Sequence, residues 1–274
     1  MAERKHNALP GFGLTFGFTL FYLSALVIIP IAGLILKTFE LTWHDFWRLA
    51  TDDRAIAAYR ITFGTSAIAA LANAVFGTIL AWVLVRYHFP FKRFVDALVD
   101  FPFALPTAVA GLTLSSLLAG NGWIGQFLVP LGINGAFTRL GIVIALTFVG
   151  LPFAVRTLQP VLENLEREVE EAAATLGAGR FRTFVTILAP TLLPTVITGF
   201  AQAFARAVGE YGSIVFISGN KPFETEIAPQ LIVIKLEEWD VLGATAIAAV
   251  LMVISFAILA IINWLENWAS HYQH

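Results

Sequence analysis

The chain has 274 residues, of which 58% are hydrophobic and 13% charged, and its formal net charge is −2. A soluble domain carries about a quarter charged residues, so this composition excludes a water-soluble globule, and the small net charge gives no nucleic-acid signature. Cysteine is absent, which removes disulfides, thiolate metal sites and cysteine nucleophiles from consideration.

Long charge-free runs define the elements in chain order. Residues 14–36 follow Arg4 and Lys5. They are too long for a signal-peptide core of about 7–15 residues, so they read as a retained first membrane helix. Further runs cover 61–85, 101–138, 140–155 (extensible to 158), 183–205 and 241–265. A spanning helix needs about 20 apolar residues, a length that only 140–155 misses. A charge at a helix centre costs about 2.5–3.5 kcal/mol on insertion, which is why these runs hold none. Residues 101–138 are too many for one span, and Gly120, Asn121, Gly122, Pro130, Gly132, Asn134 and Gly135 interrupt their second half. That span is read to end near Ala119, with Trp123, Phe127 and Leu128 left in an interfacial or re-entrant piece.

The reading is an all-α integral membrane protein with six transmembrane helices. An even number places both termini on one side. With a cytoplasmic N-terminus, nine Lys and Arg fall inside and eight outside, so charge alone barely favours that orientation. Residues 105–111 resemble 193–199, a match too short to mark the two halves found in many secondary transporters.

The dense charge cluster between the fourth and fifth spans, 163–177, reads as an amphipathic helix. Leu162, Leu165, Val169, Ala172 and Leu176 recur at steps of three and four, and Glu163 can pair with Arg167 on the other face. Gly177 suits a left-handed helix end. A solvated loop helix would explain the charges, but the small residues 172–174 make the apolar stripe shallow enough for another protein to approach the backbone.

Glu171-Ala172-Ala173, then Gly177, Ile187 and Pro190, resembles the EAA-loop signature of bacterial ABC importer permeases, with Ala189 where the signature usually has leucine. Residues 101–114, 152–160, 206–213 and 217–220 are similar to sulfate/thiosulfate importer permeases of the CysT (also called CysU) type, a likeness running from about Pro10 to Trp264. Molybdate permeases share the glycine-glutamate-aromatic-glycine pattern at 209–212. The resemblance implies the type I ABC importer permease (MetI-like) fold and a cytoplasmic loop, with Glu171, Ala172, Ala173 and Gly177 coupling to an ATPase subunit. It further implies two ATPase subunits, a second homologous permease subunit and a periplasmic sulfate-binding protein. Residues 1–13 are then a cytoplasmic tail, 14–36 the first transmembrane helix, 60–265 the permease domain with its coupling helix at 163–177, and 266–274 a C-terminal tail. The location implied is the bacterial inner membrane.

No phosphate-cradling Gly-x-x-x-x-Gly-Lys-Ser/Thr loop is present, so this chain binds no cofactor of its own, and ATP and magnesium belong on a partner. No catalytic residues are assigned, nor any metal ligands, since the five histidines fall near termini or in loops. A pathway for a hydrated dianion works when its sites are weak enough to release the ion. Thr107, Thr113, Ser115 and Ser116 supply neutral donors beside Pro102, Pro106 and Gly111. Arg206 and Glu210 stand at helical i, i+4 spacing at the end of the fifth apolar run, where ionisable groups are functional candidates. With Tyr211 and Ser213 they read as gate-lining, and Gly209 and Gly212 let the backbone turn. The same pair could instead be a structural ion pair. A rival substrate is molybdate or another oxyanion; a rival class is an ion-coupled secondary transporter or a channel, which needs no ATPase.

Overall fold

The computed structural model describes residues 12–165, 171–173 and 175–271, and the described residues contain helices and loops but no strand. The first helix, α1 (Phe12–Thr38), has 27 residues. At about 1.5 Å per residue it is long enough for a hydrocarbon core of about 30 Å. None of its residues is buried within the chain, and its second half packs on the last helix. A π-helical turn at Ser24–Ile28 ends two residues before Pro30. Proline lacks an N–H and clashes with the carbonyl four residues earlier, and the wider turn relieves both problems. The same device recurs at Phe184–Leu188 before Pro190.

The short α2 (Trp43–Ala50) is capped by Thr42, whose hydroxyl accepts from the Asp45 N–H at 3.1 Å. Its exposed Trp43 and Trp47 give it the look of a helix lying at a membrane interface. Next come α3 (Asp53–Arg86), α4 (Lys92–Val99), α5 (Phe101–Ala104), α6 (Thr107–Leu118) and α7 (Gly125–Leu128). They are followed by α8 (Arg139–Asn164), α9 (Phe181–Val208), α10 (Ile214–Ile217), α11 (Ala228–Glu237) and α12 (Val241–His271).

The core is the mutual packing of α3, α8 and α9. Small residues let the helices approach, as in membrane bundles where apolar lipid supplies no drive for burial. A Cβ at Gly77 would stand 2.7 Å from the Ala154 Cβ, and one at Gly199 would stand 3.3 Å from the Ala154 Cα. At one end Ile61 of α3 clusters with Ile142 and Leu146 of α8 and Ala207 of α9. At the other end Leu84 of α3 clusters with Leu158 and Leu162 of α8 and Leu192 of α9. So α3 and α8 run parallel and α9 runs against them. The intervening chain must therefore return from one end to the other: Val99 packs with the Leu84 and Leu162 end, and Leu118 packs with Ala145 and Ile217 toward the opposite end.

That return is where six continuous spans give way to a different picture. Among the described residues five helices are long and apolar enough to cross a membrane, and the element read as the third span is two shorter pieces, α5 and the 12-residue α6. Pro106 is the cause. It excludes Leu105 from helical geometry, and Leu105 is extended at φ −91, ψ 135. Three boundaries also move. The fourth span, read as the shortest, has 26 residues in α8. Glu163 and Asn164 close α8 and Leu165 leaves the helix at φ −74, ψ 112, so a single helix does not run over 163–177. Helix α12 continues to His271, through most of what read as the tail 266–274.

Candidate functional site

Helix α9 ends at Val208, and Gly209 takes φ −88, ψ 1, which turns the chain toward α10. Arg206 stands on the last helical turn, four residues before Glu210, and its Nη1 reaches Glu210 Oε2 at 2.6 Å. Glu210 is only 2% exposed. Its other oxygen, Oε1, accepts from the Ser213 N–H at 3.0 Å and from the Ser213 hydroxyl at 3.1 Å. Both carboxylate oxygens are therefore engaged, as a buried charge requires. The more exposed Arg206 carries the cationic side of the junction outward.

Helix α6 lies against this turn at backbone distance. A Cβ at Gly111 would fall on the Ser213 carbonyl, and one at Gly212 on the Thr107 hydroxyl. Thr107, Arg206, Glu210 and Ser213 are thus brought into one junction, with Tyr211 half-buried inside the same turn. Thr113 and Ser115 are placed apart from it. They line a recess of about 680 Å3 with Ser116, Gly122, Trp123 and Phe137. Thr113 and Ser116 face outward there and Ser115 is buried, so the recess presents neutral hydroxyls and no charge.

The loop residues lie at the opposite end. Positions 171–173 are helical, and the helix closes with the Ala178 N–H donating to the Ala173 carbonyl at 3.0 Å around Gly177, whose φ is 81°. This closure uses a left-handed residue, which glycine adopts without a Cβ penalty. Glu171 and Ala172 are exposed, Ala173 is buried, and Leu176 is 88% exposed. The apolar face inferred from spacing is shorter than expected. Leu162 is fully buried among the core helices, Leu165 lies at the break after α8, and Arg167, Val169 and Ala174 fall outside the described residues.

An ionic cluster near this end was not singled out from the sequence. Arg156 of α8 donates through Nη1 to Asp96 Oδ1 at 2.6 Å, and through Nε and Nη2 to Asp100 at 2.9 and 2.6 Å. Gln159 Nε2 adds a bond to Asp96 at 3.1 Å. Burial pushes the Asp96 carboxyl up, but the hydrogen bonds from Arg156 and Gln159 outweigh it and hold the carboxyl below its usual range. The available signals were the i, i+4 carboxylates Asp96 of α4 and Asp100 at its C-cap, and the lone arginine between Pro152 and Pro160. Just beyond, Arg86 Nη2 donates to the Leu165 carbonyl at 3.2 Å. At the other end Arg54 clasps the buried Glu226 through two bonds of 2.8 and 2.7 Å. Among the described residues no group of three or more His, Asp or Glu converges to hold a metal.

Five helices among the described residues that are long and apolar enough to span, a proline-broken return between parallel helices and a polar junction at its edge define a multi-pass helical membrane protein. Residues 73–271 match the family of binding-protein-dependent transport system inner membrane components, and the chain belongs to that family. It is 53% identical over 256 residues to the sulfate transport system permease protein CysT of Synechococcus elongatus, covering 93% of this chain and 92% of that one. It is 42% identical to the protein of the same name from Escherichia coli, covering 97% and 96%. Among solved structures, a bacterial ABC transporter involved in import of the acidic polysaccharide alginate superposes with a TM-score of 0.77 at 16% identity, covering 93% of this chain and 96% of that one. The MetNI methionine ABC transporter superposes with a TM-score of 0.59 at 14% identity, covering 84% and 99%. At those identities the likeness establishes the permease fold.

Proposed function

We propose that this chain is the non-catalytic permease subunit of an ATP-driven importer that moves sulfate or thiosulfate across the bacterial inner membrane. The observation that carries the reading is the exposed turn of Glu171, Ala172 and Leu176 closed by left-handed Gly177, a projecting turn of the kind an ATPase groove would grip. The substrate assignment is supported by the relatives, whose name is that of a sulfate permease. The chain itself binds no cofactor, and ATP and magnesium reside on two ATPase subunits. A second homologous permease chain completes the pore, and a periplasmic sulfate-binding protein delivers the anion.

In this scheme both termini are cytoplasmic, as are the Gly177 turn and the Arg156 cluster. Closure of the ATPases draws the docking turns together. The motion reaches the end of α8 at Leu165, just past its last residue, where Arg86 grips the carbonyl, and reaches α4 through Arg156. The far end responds at the junction of α6 with Arg206, Glu210, Tyr211 and Ser213, which acts as the gate. The hydroxyls of Thr107, Thr113 and Ser115 escort the anion without trapping it. The test is ATP hydrolysis by the reconstituted complex with sulfate, thiosulfate or molybdate loaded on the binding protein. Stimulation by the two sulfur oxyanions and not by molybdate is the expected result, and the reverse order would reassign the substrate.

A further inference from the structure

A groove of about 600 Å3 separates α3 from α8 at the end opposite the Gly177 turn, and it belongs to neither the junction nor the hydroxyl recess. Arg60 and Arg139 line it together with Gly64, Thr65, Ile68, Val143 and Phe223. Arg139 is aimed by its own bonds, with Nε donating to the Glu224 carbonyl at 2.6 Å and Nη2 to the Phe223 carbonyl at 3.3 Å. These acceptors are neutral, so its charge is not cancelled. Among the described residues no carboxylate pairs with either arginine. Glu226 is taken by Arg54, and the Glu224 side chain lies 3.9 Å from Lys221. Both guanidiniums are exposed, and the start of α8 adds the positive end of a helix dipole.

Apart from the buried Thr65, the lining beyond the two arginines is apolar. Gly64 lies open on this face, and a Cβ there would meet nothing within 4 Å. Exposed Ile68, Leu71, Val75 and Ile79 extend the same face of α3 at steps of three and four. From Gly64 to Val75 the helix rises about 16 Å at about 1.5 Å per residue, close to half of a hydrocarbon core of about 30 Å. A free hydrated oxyanion would gain nothing from this stripe, whereas an acyl chain would lie along it.

We propose that this groove binds an anionic phospholipid, with its phosphate between Arg60 and Arg139 and one acyl chain along Gly64, Ile68 and Leu71. The full chain would be reconstituted with phosphatidylcholine and phosphatidylglycerol, and retained lipid counted by native mass spectrometry. Wild type is expected to keep phosphatidylglycerol in preference to phosphatidylcholine. Arg60→Gln, which removes an exposed charge, and Gly64→Leu, which adds a side chain where a Cβ meets nothing within 4 Å, should each lower that retention at least about tenfold at unchanged helix content. Added sulfate in millimolar excess should leave the bound lipid in place. Equal retention by wild type and both variants would overturn the proposal. So would displacement of the lipid by sulfate, which would make the arginines a free-oxyanion site.

Discussion

A valine at position 177 would place a branched Cβ on a backbone held at φ 81°, a conformation that costs an L-residue about 1–2 kcal/mol. Because Gly177 lies outside the packed core, the Gly177→Val chain should insert normally while its docking turn is misaimed. A loss of about 1.4 kcal/mol is tenfold in binding, so the ATPase subunit copurifying with the variant should fall by roughly that factor. Gly177→Asn should retain most of it, because asparagine tolerates the left-handed region. Equal loss in both variants, or none in either, would detach the turn from docking. Glu210→Gln acts differently, because Gln can still accept from Ser213 but leaves Arg206 without its counter-charge. A destabilisation of about 1–3 kcal/mol is expected for a buried partner lost. Anion uptake per assembled complex should fall more than assembly itself; parallel loss would make the pair purely structural.

Between elements, the contact of α4 with α8 depends on ionised Asp96, and its sign is fixed by the lowered carboxyl. The folded form holds the proton less readily than an unfolded aspartate, whose ordinary value is about 3.9. The stabilisation is therefore complete above that value and lost as pH falls through the lower folded one. Thermal unfolding in detergent should show wild type losing stability on acidification below about pH 4 more steeply than Asp96→Asn. Asp240, lowered by its hydrogen bond to Lys235 against some burial and helped by the Gly243 N–H, has the same sign. The readout is accordingly the difference between the two proteins, and identical acid profiles would remove Asp96 from the contact. Arg156 escaped the sequence reading because its carboxylates lie 56 and 60 residues away, beyond any local periodicity. The same holds for Gly111 against Ser213. The spans were legible because insertion energetics clear charges from them locally, and the break in the third was written in Pro106. Leu162 fits the apolar spacing of the loop helix equally well while belonging to the core of α8.

At the scale of the molecule, parallel α3 and α8 demand a crossing by the broken α5 and α6. If that crossing is made, single cysteines at His44 and Leu176, both 88% exposed, should label from opposite faces of the membrane in this cysteine-free chain. Labelling from one face would mean that α5 and α6 turn back. The loop would then lie on the wrong side for a cytoplasmic ATPase. The central claim, that this chain is a path whose energy comes from elsewhere, is tested most directly by radiolabelled sulfate uptake into proteoliposomes. The chain should be compared alone and assembled with its second permease chain, the ATPase subunits and the binding protein. Uptake is predicted only in the full assembly with ATP and magnesium on the ATPase side; sulfate accumulation by this chain alone, driven by an ion gradient without ATP, would contradict it.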